Sequence, residues 1–167
     1  MEIRRSMKAS TDNGKYNATL NDYLREVICV CPKCGGPARI TAKSKYAIPW
    51  NPTNVMFICL KCPNRQTWTS QPGKTDFANY NPSDGNEPYF GYPLYLQEKV
   101  VQHVLVAFSK KHVEDLVEYI AAKDRPSPEN SKWAMVNRLP KWVKLAKNRT
   151  PVLKALNQMQ KRIEDHS

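Results

Sequence analysis

The chain has 167 residues, of which 41% are apolar, and a formal net charge of +11 at pH 7. This length suits one ordinary domain or two small ones. The basic first residues are followed by no apolar stretch, so we expect no signal peptide, and the densest apolar run, 100–108, is too short to span a bilayer. We therefore expect a cytoplasmic protein without membrane contact, whose closely spaced cysteines bind metal rather than form disulfides.

The first half of the chain predicts an arm, a small β domain and a linker. Residues 1–22 are polar and without periodicity, which indicates a flexible N-terminal arm. Within a domain at 23–71, three segments rich in β-formers predict strands at 38–48, 55–60 and 65–70. Residues 72–91 are rich in proline, glycine and polar residues, which predicts a linker.

The second half, 92–167, predicts a helical domain. Val100, Val101, Val104 and Phe108 recur at helical spacing after Pro93, which suits the first turn of a helix. Ser109 is the expected N-cap of a second helix, and further helices are expected around 131–137, over 140–148 and from Thr150-Pro151. The predicted fold class is α+β: a three-stranded antiparallel ribbon followed by an all-helical C-terminal domain.

Two Cys-x-x-Cys pairs predict one metal site with Cys31, Cys34, Cys59 and Cys62 as ligands. Zinc takes four such thiolates in a tetrahedron, and the residues between the pairs allow two strands and a turn. A redox pair or four buried free cysteines are the alternatives. Four cysteine ligands leave no open position for water, so we expect a structural Zn²⁺. Cys29, two residues before the first pair, is interpreted as a packed side chain.

These paired cysteines and the β-type sequence between them resemble a zinc ribbon over residues 28–70. The resemblance implies the fold and leaves the function open, because zinc ribbons bind DNA, RNA or protein. In the second half, the sequences Gly91-Tyr92-Pro93-Leu94-Tyr95-Leu96, Leu139-Pro140-Lys141-Trp142 and Lys147-Asn148-Arg149 are similar to a group of uncharacterised bacterial zinc-ribbon proteins. That similarity implies no activity.

The sequence contains no pattern typical of a catalytic site. Its histidines, His103, His112 and His166, are scattered, and there is no phosphate-binding glycine loop, nucleophile elbow or Cys–His pattern. Glu114 and Glu118 share a helix face, which we interpret as an acidic surface patch beside Lys110 and Lys111. We therefore predict a protein that is not an enzyme and has no small-molecule substrate.

Two basic blocks that lack carboxylates, 28–75 and 130–163, indicate a polyanionic partner, most often nucleic acid. A generally basic soluble protein is the alternative. On a helical wheel, three lysines of 140–148 lie opposite Trp142 and Leu145. Tyr46, Trp50 and Trp68 could stack on bases or form the ribbon's own core. The predicted nucleic-acid contacts are Lys43, Lys45, Lys61, Arg65, Lys141, Lys144, Lys147 and Arg149. The alternative function is a protein-interaction adaptor or regulatory subunit that docks a protein partner through its helical half.

Overall fold

The computed structural model describes residues 18–44, 51–68, 80–123 and 134–166. In this part of the chain, four antiparallel strands form a sheet in the order β1-β2-β3-β4. They are β1 (Glu26–Val30), β2 (Pro37–Ser44), β3 (Pro52–Cys59) and β4 (Arg65–Trp68). Alternate residues such as Ile40, Val55 and Phe57 are buried, as a strand with one packed face requires.

The predicted three-stranded ribbon is therefore wrong by one strand. Segment 26–30, which leads into the first cysteine pair, is hydrogen-bonded to β2 with Val27 opposite Ile40 and Cys29 opposite Ala38. Its alternation of buried Val27 and Cys29 with more exposed neighbours is a short period-two pattern.

The expectation of an all-helical second half is also wrong, because two strands form a hairpin there. β5 (Leu96–Val100) pairs with β6 (His103–Ala107), and residues 101–102 form the loop. The helical spacing of Val100, Val104 and Phe108 coincides with a run rich in β-branched valine, which fits a pleated surface better than a helix. Short apolar runs of this kind satisfy both periods, and packing against the rest of the protein selects the strand.

Five helices are present in the described residues: α1 (Leu20–Tyr23), α2 (Lys110–Ala121), α3 (Met135–Arg138), α4 (Lys141–Lys144) and α5 (Arg149–Glu164). Ser109 caps α2 as predicted, because its side chain accepts a hydrogen bond from the backbone N–H of His112. The single helix expected over 140–148 is divided instead. Leu145 is extended between α4 and a 3₁₀ turn, Ala146–Asn148. None of the helices in the described ranges combines the length and apolarity needed to cross a membrane.

Backbone hydrogen bonds join the sheet to the second half of the chain. The N–H of Ile28 donates to the Phe108 carbonyl at 2.7 Å, and the N–H of Val30 donates to the Pro93 carbonyl at 2.8 Å. Tyr95 donates to the Ile28 carbonyl at 3.1 Å. The free edge of β1 is therefore used by residues that follow the predicted linker. The domain division at residues 71 and 91 stays a prediction.

The described part of the predicted linker, 80–91, contains a turn built around a buried carboxylate. Glu87 is 2% exposed and accepts backbone hydrogen bonds from Tyr89 at 2.6 Å, Phe90 at 3.0 Å and Tyr92 at 2.8 Å. Tyr89 is buried, and its hydroxyl donates to the Leu24 carbonyl at 2.6 Å. These contacts hold residues 87–92 against the sheet.

Candidate metal centre

Four cysteines from two turns of the sheet come together at one end. Cys31 and Cys34 lie in the connection between β1 and β2, whereas Cys59 ends β3 and Cys62 lies in the turn before β4. All four Sγ atoms lie within 4.8 Å of one another. The Sγ atoms of Cys31 and Cys62 are 3.8 Å apart, and those of Cys34 and Cys59 are 3.4 Å apart. A tetrahedron with metal–sulfur bonds of ~2.3 Å requires sulfur atoms about 3.8 Å apart, so the cluster can hold a metal ion.

The turn that carries the first pair depends on a left-handed residue. Gly35 has φ of 72°, a region that glycine adopts without steric cost, and its N–H donates to the Cys31 carbonyl at 2.9 Å. Asn64, which follows the second pair, could have had the same role. It does not, since Val101 is the one residue other than glycine with positive φ in the described chain. Asn64 is buried, and its side-chain amide donates to Cys31 Sγ at 3.5 Å.

Backbone N–H groups point at the other sulfur atoms. The N–H of Gly36 donates to Cys34 Sγ at 3.4 Å. The N–H groups of Lys61 and Cys62 both donate to Cys59 Sγ at 3.3 Å. Hydrogen bonds to sulfur favour the thiolate, which is the form that binds metal. The turns therefore position the cysteine ligands and also favour their ionised, thiolate form.

The thiols of the cluster differ in how readily they ionise. Burial opposes ionisation of Cys31, but hydrogen bonds from Asn64 and from the backbone of Cys34 and Lys33 lower its pKa to about 6. The N–H of Asn64 favours the Cys62 thiolate, yet burial and the neighbouring sulfur atoms raise the pKa of Cys62 to about 12. A cluster of four thiolates thus requires a cation among them, because their negative charges repel one another. This donor set suits a soft divalent ion.

Cys29 lies apart from the cluster. It is fully buried on β1 and forms an isolated bridge with Leu94. Burial raises the pKa of its thiol. Among the described residues, the group close enough to hold a metal consists of the other four cysteines. The interpretation of Cys29 as a packed side chain is confirmed.

Comparisons with family models, with curated proteins and with solved structures gave no match. The four cysteines are close enough to hold a metal ion, as in a zinc ribbon. This likeness depends on their geometry and spacing alone. The similarity of the second half to bacterial zinc-ribbon proteins stays a prediction.

The predicted contacts on the ribbon lie on the surface of the sheet. Lys43 on β2, Lys61 in the second cysteine turn and Arg65 on β4 are all exposed. Lys45, Tyr46 and Trp50 lie outside the described residues. Trp68 is half-buried, and its ring centroid lies 6.3 Å from that of Tyr89, which places it against the core. Arg39, which the sequence reasoning did not select, is exposed on β2 between β1 and β3.

The predicted contacts near the C-terminus do not form one continuous helix face. Lys141 and Lys147 are exposed on either side of the break at Leu145. Lys144 is half-buried, its Nζ donates to the Asn137 carbonyl at 3.4 Å, and burial lowers its pKa. Arg149 is half-buried at the start of α5. Two of these four cations are thus fully available to a partner.

Proposed function

We propose that this chain is a non-catalytic zinc-ribbon protein that binds nucleic acid through the outer face of its four-stranded sheet. We define the outer face as the exposed positions Arg39, Thr41, Lys43, Met56, Arg65 and Thr67 together with half-buried Ile58. The proposed metal is Zn²⁺, since four cysteine thiolates in a closed tetrahedral arrangement are its typical structural site. A fully coordinated metal has no position for a substrate or an activated water, which supports a structural role.

The observation that carries the proposal is a row of residues across the sheet. Arg39 lies opposite Ile58 on β3, and Ile58 lies opposite Arg65 on β4. Two guanidinium groups therefore flank an apolar strip, with Lys43 further along β2. Arg and Lys side chains bind phosphates, while apolar surface between them can contact sugars or bases.

Carboxylates offset little of this charge. Across the four strands the one acidic residue is Glu26, whose Oε1 lies 3.6 Å from Arg39 Nε. Both of these side chains are more than half exposed, so their pairing contributes little to stability and leaves Arg39 able to change partner. The sheet thus has an excess of positive charge that suits a polyanion.

The test is fluorescence anisotropy of the zinc-loaded protein with duplex DNA and with structured RNA at several salt concentrations. A sheet variant combines Arg39→Glu, Lys43→Glu and Arg65→Glu. We expect it to bind much more weakly and with a flatter salt dependence, because each lost phosphate contact removes a slope of ~0.9 in log affinity against log salt for duplex DNA.

Two further triple variants make the same change in charge elsewhere in the chain; the first is a control, and the second tests another group of predicted contacts. Lys99→Glu, Lys110→Glu and Lys123→Glu replace exposed lysines away from the outer face, and this triple variant should bind close to wild type. Lys141→Glu, Lys144→Glu and Lys147→Glu test the C-terminal cations separately. Failure of the wild-type protein to bind either nucleic acid at low salt would contradict the proposal, as would equal weakening by the control triple.

A protein-interaction adaptor is the second candidate. It is favoured by two exposed apolar side chains on the hairpin of the second half, Val101 at 65% and Val104 at 47% exposure. If the chain binds no nucleic acid, this becomes the leading function. A partner protein retained by the wild type and lost from Val101→Asp with Val104→Asp would then support it.

A further inference from the structure

A cavity of about 320 Å³ lies between the hairpin, the start of α2 and residues 135–143. Most of its wall is apolar, including Val104, Phe108, Met135, Leu139, Trp142 and Val143. A preformed concave site with an apolar wall is typical of small-molecule binding. For scale, an apolar cavity of about 150 Å³ holds benzene. This cavity has room for a molecule of one or two rings.

One polar side chain in this wall has an unused hydrogen-bonding group. His112 is 4% exposed, and its ring stacks on Tyr23 and Phe108 with centroid distances of 4.4 and 5.2 Å. Its Nδ1 accepts the backbone N–H of Phe108 at 3.1 Å. Its Nε2 has no hydrogen-bond partner among the described residues.

The bond at Nδ1 defines the tautomer of His112. A nitrogen that accepts a hydrogen bond carries no proton, so the neutral ring bears its proton on Nε2. Burial lowers the pKa of His112 to about 4, despite the nearby carboxylate of Asp115, so the ring is neutral at pH 7. Nε2–H is therefore a buried donor without an acceptor, which is unfavourable unless something supplies one.

We propose that this cavity binds a small, uncharged apolar molecule that presents a carbonyl oxygen, and that His112 Nε2–H donates to that oxygen. The apolar wall removes the body of the ligand from water, and the carbonyl supplies the missing acceptor. Arg138, the charged side chain of the lining, already has an interaction partner, so an uncharged ligand suits the site better than a carboxylate. Nε2 has almost no accessible surface, so the carbonyl reaches it only by displacing one of the side chains that line the cavity. This site is independent of the proposed nucleic-acid binding.

The test compares two probes of similar shape, acetophenone and isopropylbenzene, by NMR chemical-shift titration of the zinc-loaded full chain. Acetophenone offers a carbonyl oxygen where isopropylbenzene offers a methyl group. We expect saturable binding of both and an affinity about fivefold higher for acetophenone, as one additional hydrogen bond gives. His112→Leu should bind acetophenone more weakly than isopropylbenzene, because the carbonyl is then buried without a donor.

Variants on the hairpin test the place of binding without disturbing the core. Val104 lines the cavity and is 47% exposed, so Val104→Trp should fill the entrance and abolish binding. Val101 is 65% exposed on the same hairpin and outside the lining, so Val101→Trp should bind as wild type. Should His112→Leu fail to fold, the probe pair and these two variants still decide. The proposal is overturned if acetophenone does not bind saturably, if the two probes bind wild type equally, or if Val104→Trp retains binding.

Discussion

At the scale of single residues, the metal cluster distinguishes four cysteines from a fifth that lies two residues away. We expect the wild-type protein to bind about one equivalent of zinc. Cys31→Ser or Cys62→Ser removes a ligand, so the zinc content of either variant should be well below that value. Cys29→Ala should retain about one equivalent, because this side chain packs inside the sheet. Metal analysis after gel filtration measures this, and an equal loss from Cys29→Ala would contradict the ligand assignment.

His112 makes a second prediction at this scale, for the dependence of stability on pH. Its pKa is about 4 in the folded chain and about 6.5 when unfolded, so the folded state resists protonation. The stability due to the neutral ring is complete above pH 6.5 and is lost as the pH falls towards 4. Between pH 7.5 and 5 this amounts to roughly 2 kcal/mol.

Replacing His112 by glutamine should remove that dependence. Denaturant unfolding of wild type and His112→Gln at pH 7.5, 6 and 5 measures it, and their difference cancels contributions from the metal site. Asp115, Tyr23 and Lys111 are the titratable groups beside the ring and are unchanged in both proteins. If the free energy of unfolding changes with pH equally in wild type and His112→Gln, the lowered pKa of His112 would be contradicted.

At the scale of elements, the hairpin has a strained loop. Val101 has φ of 56° at the first position of a two-residue connection, where hairpins of this kind prefer glycine. A β-branched residue at positive φ is unfavourable. Val101→Gly should therefore raise the free energy of unfolding by roughly 1 kcal/mol, measured by denaturant titration. The same change at Val104, inside β6, should lower it, and destabilisation by Val101→Gly would show that the loop is unstrained.

At the scale of the whole molecule, the metal site and the second half are connected through β1. This strand ends at Val30, directly before Cys31, and shares backbone hydrogen bonds with β2 and with Pro93, Tyr95 and Phe108. Because metal binding and ribbon folding are coupled, we expect chelation to lower the stability of the whole chain. As the chelator concentration is raised, the strand and helix signals in circular dichroism should then be lost in a single transition. Two separate transitions would instead support the predicted division near residue 71.

The metal site could be predicted from the sequence because its determinants are local. A Cys-x-x-Cys pair brings two sulfur atoms together through its own turn, and two such pairs define a tetrahedral site whatever surrounds them. The cap at Ser109 and the helix after it were predictable for the same reason, since capping depends on residues within one turn.

The hairpin and the cavity were decided by contacts between distant segments. Valines at 100, 101 and 104 satisfy a helical and a strand pattern equally, and only the packing of β5 against α5 and the pairing of β6 with β5 choose between them. The residues next to His112 in the sequence do not indicate that its side chain is buried. Phe108 is a near neighbour in the chain, but Tyr23, on which the ring also stacks, lies nearly ninety residues away and is brought beside His112 by folding. Short-range patterns determine ligands and caps, whereas burial and register are properties of the assembled core.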